Sequence, residues 1–334
     1  MPRSIIGLEI GNSNIKIIEV VKKGPTLIVK RFSLLPTPED CIQNGVISDE
    51  ERLRSVIQEE LKKKKYTSKK VVAIIQSNGI IIRNAIMDAY PDKVIRQLLE
   101  IKTQDYLPVE TGQYQVDYRI MNTIEEEGHI KNKLLLVAAP NTVILPVANL
   151  IKSLKLTPVL ISIPSEALTN IFSSKKTMIY KETGNVLVLD IGSKSTTVTV
   201  IEEGEALLTR MINFGVASID QSIKEEEIGP QTGTGDLEEL LTHIIRPQIE
   251  YNIVSEIERI LQFYYSSYNG GLIKKIYLIG GGATIKGIRE YMTEALNIPT
   301  ERLTQFDTVM AAPGIEFEAY AKFYVNLLGA INGL

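Results

Sequence analysis

One cysteine and two histidines in 334 residues leave little material for metal or disulfide chemistry. Cys41 alone cannot form an intrachain disulfide or a cysteine-built zinc site, and its solitude fits a reducing compartment. His129 and His243 are too few for a histidine-rich centre. A surplus of either charge is also missing: 37 Lys and Arg against 40 Asp and Glu give a formal net charge of −3. That balance argues against binding bare nucleic acid through phosphate neutralisation. No apolar run approaches the ~18 residues of a bilayer-spanning helix. The opening MPRSIIGLEIG passes from one Arg straight into a strand-like segment, without a secretory h-region. What is present is 44% apolar and 23% charged, an ordinary globular composition with enough for a sizeable core. The length corresponds to about 2.2 average domains. These features predict a soluble, cytoplasmic protein of more than one domain.

The sequence carries one long-range echo. Residues 8–20 read LEIGNSNIKIIEV and residues 189–201 read LDIGSKSTTVTVI, offset by 181. Both run Leu, acidic residue, Ile, Gly, small polar residues, then a second apolar strand. The spacing is too long for a solenoid and predicts two similar lobes, each opening with a β-hairpin.

Between the echoes the pattern predicts a strand over 26–32. A capping box at Ser48-x-x-Glu51 then opens a helix carrying Leu53, Val56, Ile57 and Leu61, and a strand follows over 71–76. Residues 85–154 read as an inserted helix–strand–strand–helix unit. Asp92 caps its first helix, Tyr114, Val116, Tyr118 and Ile120 alternate as a half-buried strand, and Asn141 caps its last helix. The second lobe starts near Gly184. After Phe214-Gly215 comes a polar loop over 224–235, then a long helix over 237–264 with Pro247 as a kink. A strand over 275–279 ends in Gly280, Gly281 and Gly282, before a helix from about Lys286.

The two hairpin turns suit phosphate. Gly- and Ser-rich turns gather backbone N–H groups toward one point, and a carboxylate just before the Gly suits hydrated Mg²⁺. Lys16 can reach a phosphate as a point charge. A strand ending in three glycines lets a flat nucleoside approach the backbone. Neither G-x-G-x-x-G nor G-x-x-x-x-G-K-[ST] is completed anywhere near these glycines, so the Rossmann and P-loop readings fail.

Acidic hairpin, second acidic hairpin and glycine-ended strand, in that order, are similar to the phosphate-one, phosphate-two and adenosine motifs of the actin-like ATPase superfamily, which includes actin, sugar kinases, MreB and FtsA. Within it the chain most resembles the PilM family, actin-like cytoplasmic proteins of type IV pilus assembly. The resemblance extends to Ile82–Tyr106 and Asp117-Tyr118 in the insert. It also takes in Glu256-Ile257-x-Arg259 with Phe263-Tyr264 before the adenosine strand, and Tyr320–Gly333 at the end. It implies a two-lobed α/β actin-like fold: lobe I over 1–84, the insert over 85–154, lobe I again over 155–184, lobe II over 185–309, and a last helix over 310–334 returning to lobe I.

The resemblance further implies ATP between the lobes. Gly11, Asn12, Ser13, Asn14 and Lys16 would face Gly192, Ser193, Lys194 and Ser195 across the phosphates, with Gly280, Gly281 and Gly282 beside the nucleoside. Glu9 and Asp190 would hold Mg²⁺ through water. Three departures weaken hydrolysis. Glu9 stands where the family has Asp, Asn12 replaces a Ser, and Ser162 and Pro164 stand where PilM sequences have acidic residues. Glu166 is the nearest substitute acid, completing a candidate catalytic set of Glu9, Asp190 and Glu166, with slow hydrolysis at most. The family implies a partner, the N-terminal tail of a PilN-like membrane protein, held in a groove between lobe I and the insert with Tyr106, Tyr114 and Tyr118 as candidate walls. Such a protein sits at the cytoplasmic face of the inner membrane only through its partner and binds no nucleic acid; self-association stays open.

Other readings stay beside this one. A small-molecule kinase of the same superfamily needs a general base, for which only Asp88 offers itself. A pseudo-ATPase binding no nucleotide is favoured by Glu9 and Pro164. The run Lys62–Lys65, with Lys69 and Lys70, reads either as a contact for anionic headgroups or a partner, or as a helix end favoured by its dipole. Tyr264, Tyr265, Tyr268 and the last helix read as core.

Overall fold

A computed structural model describes residues 3–110, 112–126, 128–173, 178–179, 184–219, 245–268 and 270–334. The expected polar loop over 224–235, His243 and the expected helix before residue 245 lie outside the described residues. Strands β1 (Arg3–Ile10), β2 (Asn14–Lys23) and β3 (Thr26–Pro36) form an antiparallel meander. A small hairpin, β4 (Ile42–Gln43) and β5 (Val46–Ile47), leads into helix α1 (Glu50–Lys63) and strand β6 (Lys70–Ile74).

The insert follows as β7 (Ile81–Asp88), α2 (Asp92–Ile101), the single turn α3 (Thr103–Tyr106), β8 (Tyr114–Glu126) and β9 (His129–Pro140), with sheet order β7-β9-β8. Helix α4 (Asn141–Ser153), strand β10 (Thr157–Ser162) and helix α5 (Pro164–Phe172) then return to lobe I. Lobe II holds β11 (Asn185–Ile191), β12 (Thr196–Glu202) and β13 (Glu205–Ile212). Beyond them a helical turn (Arg246–Ile249) containing Pro247 passes through a π-helical turn (Glu250–Val254) into α6 (Ser255–Ser267). Strand β14 (Ile273–Ile279), α7 (Ile288–Leu296), β15 (Thr300–Arg302), β16 (Val309–Ala311) and α8 (Val325–Gly333) complete the chain.

The echo corresponds to matched sheets. Lobe I orders its strands β10-β6-β1-β2-β3-β16 and lobe II orders them β15-β14-β11-β12-β13. In each, an antiparallel hairpin and third strand lie beside two parallel strands. Both sheet faces of lobe I are covered, so its strands are apolar on successive residues. Ile5, Ile18, Val20 and Val72 pack toward α5 and α8, whereas Ile6, Leu8, Ile15 and Ile17 pack toward α1 and α4. The α5–α8 layer also meets Val186, Val188 and Ile279 of lobe II, so one core cluster joins the lobes. The last helix is core, with Val325–Asn332 buried throughout, but it spans only Val325–Gly333 of the expected 310–334, because residues 309–311 pair as β16. It approaches so closely that a Cβ on Gly329 would stand 2.1 Å from the Ala167 carbonyl oxygen.

Three local expectations differ from the structure. Asp49, not Ser48, caps α1 by accepting from the Arg52 amide at 3.0 Å, while the Ser48 hydroxyl turns to the Asp40 carbonyl. Pro91 and Pro140 occupy the cap positions of α2 and α4, displacing Asp92 and Asn141 into the first turn. There the Asp92 carboxylate accepts from Arg96 and Tyr118, and Asn141 bonds Gln115 and the Gly112 carbonyl. Against the expected 85–154 boundary, β7 already pairs with β9 from Ile81, and α4 packs its Val143, Val147, Leu150 and Ile151 into the lobe I cluster. The insert's own cluster gathers Met87, Ile95, Leu99, Leu107, Leu134 and Leu136.

Candidate functional site

The turns of the two hairpins are built alike. The Gly11 amide donates to the Asn14 carbonyl, and the Gly192 amide to the Ser195 carbonyl, each at 2.9 Å. Each turn is then held by residues that follow the third strand. Thr37 donates its amide to the Ser13 carbonyl (2.9 Å) and its hydroxyl to the Gly11 carbonyl (2.7 Å). In lobe II, the amides of Val216 and Ala217 donate to the carbonyls of Gly192 (3.0 Å) and Ser193 (2.9 Å). The turns meet across the inter-lobe cleft, where the Ser13 hydroxyl donates to the Ser193 hydroxyl at 2.6 Å.

Between them lies a cleft of about 430 Å³. Its walls include Glu9, Gly11, Asn12, Ser13, Asn14 and Lys16 from lobe I and Asp190, Gly192, Ser193, Lys194 and Ser195 from lobe II. Gly280 and Gly281 at the end of β14, with Thr284 just beyond and Phe323 from before α8, complete the walls. Gly280 has φ of 79°, a left-handed conformation, and a Cβ there would stand 2.3 Å from Asp190 Oδ1. Its amide donates to the Lys322 carbonyl at 3.0 Å. Gly282 is not part of the wall. It is buried beneath, where a Cβ would stand 2.1 Å from Ile191 Cγ2.

The charges in the cleft are coupled. β1–β2 register sets Glu9 opposite Lys16, and Lys16 Nζ lies 2.5 Å from Glu9 Oε1, with Glu9 buried and Lys16 nearly so. Burial pushes the Glu9 carboxyl above its ordinary range; Lys16 opposes this and Asp190 reinforces it. Burial also pulls the Lys16 ammonium down, but Glu9 and Asp190 together outweigh it and hold its pKa above the ordinary lysine value. Asp190 is anchored from α8, where Asn326 Nδ2 donates to its Oδ2 at 2.9 Å.

Sequence reasoning passed over several residues here. Gln76, two residues past β6, lines the cleft and donates its amide to the Thr197 hydroxyl of lobe II. Asn78 Nδ2 donates to Asn213 Oδ1 at 2.9 Å, a further lobe-to-lobe bond. Asn326 was detectable as an amide inside the apolar run YVNLL. Gln76 and Asn78 carried no such signal.

Glu166 does not line the cleft. It sits in the first turn of α5, and Arg119 of the insert binds it at 3.0 Å while reaching Glu205 of lobe II at 2.7 Å. Burial raises the Glu166 carboxyl and Arg119 opposes it. Arg119 therefore ties insert, lobe I and lobe II at one point. Arg119→Ala leaves two carboxylates facing each other and should lower stability by about 1–2 kcal/mol in urea melts. Because Glu166 then sits further above its unfolded value, the loss should shrink as pH falls from about 8 to about 5. An unchanged midpoint at both pH values would contradict this role.

Of the expected tail-groove walls, Tyr114 and Tyr118 line a hollow inside the insert, with Arg96, Leu99 and Glu100 of α2. Tyr106 packs into the insert's own cluster. A separate cavity of about 490 Å³ lies where lobe I, the insert's first strand and β13 meet, lined by Ile75, Ile80, Ile82, Ile163, Ser165 and Met211 among others. Asp88 ends β7, where it accepts from the Tyr90 hydroxyl, and is not a cleft residue. Tyr264 is buried, its hydroxyl donating to Glu202 at 2.8 Å, whereas Tyr265 and Tyr268 reach the surface.

Comparison with known proteins gives one family and one fold. The family described as type IV pilus assembly protein PilM matches residues 7–333. Among solved structures, a PilM-PilN type IV pilus biogenesis complex superposes with a TM-score of 0.80 at 20% identity, covering 100% of this chain and 99% of that one. The ethanolamine utilization protein EutJ from Carboxydothermus hydrogenoformans gives 0.59 at 14% identity, with 99% and 89% covered. MreB 5 of Spiroplasma citri, bound to AMPPNP, gives 0.52 at 13%, with 98% and 95% covered. The fold is thus the two-lobed α/β fold of actin-like ATPases, and with the family match spanning nearly the whole length, the chain belongs to the type IV pilus assembly protein PilM family.

Proposed function

We propose that this protein is a cytoplasmic, nucleotide-binding scaffold of the type IV pilus inner-membrane platform, holding the short cytoplasmic tail of a PilN-like membrane protein. The observation that carries the nucleotide part is a pair of buried oxygens in the cleft, Glu9 Oε2 and Asn12 Oδ1, with no hydrogen-bond partner among the described residues. Buried polar atoms call for a partner, and a hydrated divalent cation supplies donors to both. The residue set fits ATP·Mg²⁺. Glu9 and Asp190 would hold the metal through water, the two hairpin turns and Lys16 the phosphates, and Gly280 and Gly281 the nucleoside. Bound there, the metal would screen phosphate charge. Glu9 is neutralised by Lys16 and Glu166 lies outside the cleft in the grip of Arg119, so slow hydrolysis at most is the reading favoured.

For the partner, support comes from family membership and from the similarity to a PilM-PilN complex. Among the described residues no helix is long and apolar enough to cross a membrane, which suits attachment through a partner. The isoleucine-lined cavity at the junction of lobe I and the insert is the seat we assign to the tail. Ile82→Glu should abolish capture of a peptide spanning a PilN-like tail in a pull-down, with the melting curve little changed. Tyr118→Ala should leave capture intact. Capture surviving Ile82→Glu but lost in Tyr118→Ala would move the seat into the insert's own hollow and overturn this assignment.

A further inference from the structure

Helices α1 and α4 each precede a strand, β6 and β10, that runs parallel to its neighbour in one sheet. Both helices therefore finish at the same end of lobe I, where both strands begin. That end collects lysines from three elements. Lys62, Lys63 and Lys65 close α1, Lys69 and Lys70 open β6, and Lys152 and Lys155 close α4; all seven are exposed. Lys64 is left out of this count because Glu60 and the Phe32 carbonyl hold it. Seven positive charges gather here in a chain of net charge −3, so the remainder sums to −10.

The helix dipole accounts for Lys62, Lys63 and Lys152, which lie in last turns. It does not account for the others. Lys65 and Lys155 occupy equivalent positions just past the two helices, with φ of 54° and 59°. The closing hydrogen bonds match as well. The Lys65 amide donates to Lys62 and the Tyr66 amide to Leu61, while the Lys155 amide donates to Lys152 and the Leu156 amide to Ile151. This is the helix-ending motif in which glycine is the preferred residue. Twice, at the same end of the molecule, the chain keeps a lysine where backbone conformation favours glycine.

We infer that this end of lobe I is a docking face for an anionic lipid surface. The charges span the ends of two packed helices and the start of β6, on the order of 10 Å in each direction before the reach of the lysine side chains is added. A fluid bilayer can gather mobile anionic headgroups beneath the lysines. A nucleic acid, with fixed charge, also meets the acidic remainder of the surface. Each lysine near such a surface adds about 1 kcal/mol. The contact orients lobe I on the membrane and is independent of the nucleotide and tail readings.

The test is co-sedimentation of the full chain with vesicles of phosphatidylcholine containing about 30% phosphatidylglycerol, at about 0.05 M and about 0.5 M salt. The protein should pellet at low salt, release at high salt, and ignore pure phosphatidylcholine. Lys65→Gly/Lys155→Gly should bind about 30-fold more weakly while melting no lower than the parent. Lys69→Gln/Lys70→Gln should weaken binding similarly, and the remote Lys93→Gln/Lys286→Gln should not. Failure of the parent to pellet with the anionic vesicles overturns the proposal. So does undiminished binding by the first two variants, or stronger binding to a single-stranded oligonucleotide than to vesicles at equal charge.

Discussion

Lys16→Met should destabilise the protein by about 3–5 kcal/mol near neutral pH, because it strands a buried carboxylate. Glu9 is 8% exposed and lies beside Asp190; in the parent, Lys16 is the cation that compensates it. Without Lys16, desolvation and Asp190 act unopposed, and the folded-state pKa of Glu9 climbs further above its unfolded value. An acid whose folded pKa is raised carries a penalty that is full above that pKa and fades as pH falls toward the unfolded value near ~4.3. The difference between parent and variant in urea unfolding should therefore shrink between about pH 8 and about pH 5. Glu9→Gln/Lys16→Met should be milder than Lys16→Met, since it leaves no unpaired buried charge at this position. A loss below about 1 kcal/mol, or one independent of pH, would contradict the coupled pair.

Gly280→Val should cost about 2–4 kcal/mol and eliminate nucleotide binding. The left-handed backbone at Gly280 opposes a β-branched residue. The added Cβ would stand 2.3 Å from Asp190 Oδ1 and 2.8 Å from the Ile191 carbonyl oxygen, so the lobe II hairpin must shift. Gly281, where a Cβ meets nothing within 4 Å, provides the contrast: Gly281→Ala should stay within about 1 kcal/mol of the parent. Chemical denaturation of the two variants, with and without ATP·Mg²⁺, reads both effects. Equal stability of the two would mean that the close approach at Gly280 does not matter.

The features legible in the sequence are those made by short, local patterns. A hairpin is decided by alternating apolar residues and a Gly-polar turn, so the 181-residue echo translated directly into matched sheets. The glycine-ended strand was legible for the same reason. What escaped depends on neighbours distant in sequence. Gln76 meets Thr197, and Asn326 meets Asp190, only after the lobes close on each other. Glu166 shows the limit of counting along the chain. Two residues along an α-helix turn a side chain by about 200°, so an acid near Pro164 in sequence points elsewhere in space, here to Arg119. The caps at Asp92 and Asn141 failed because the preceding prolines took the cap position. The insert boundary was blurred because α4 follows the insert in sequence but packs on lobe I.

Isothermal titration of ATP with Mg²⁺ into the parent and into Asp190→Ala tests the inter-lobe site most directly. Saturable one-to-one binding is expected for the parent. At 100 times the dissociation constant it should stabilise the fold by about 2.7 kcal/mol. Asp190→Ala, which removes the carboxylate anchored by Asn326, should abolish both the heat and the stabilisation. Binding of equal affinity in the variant, or no binding by the parent, would contradict the account.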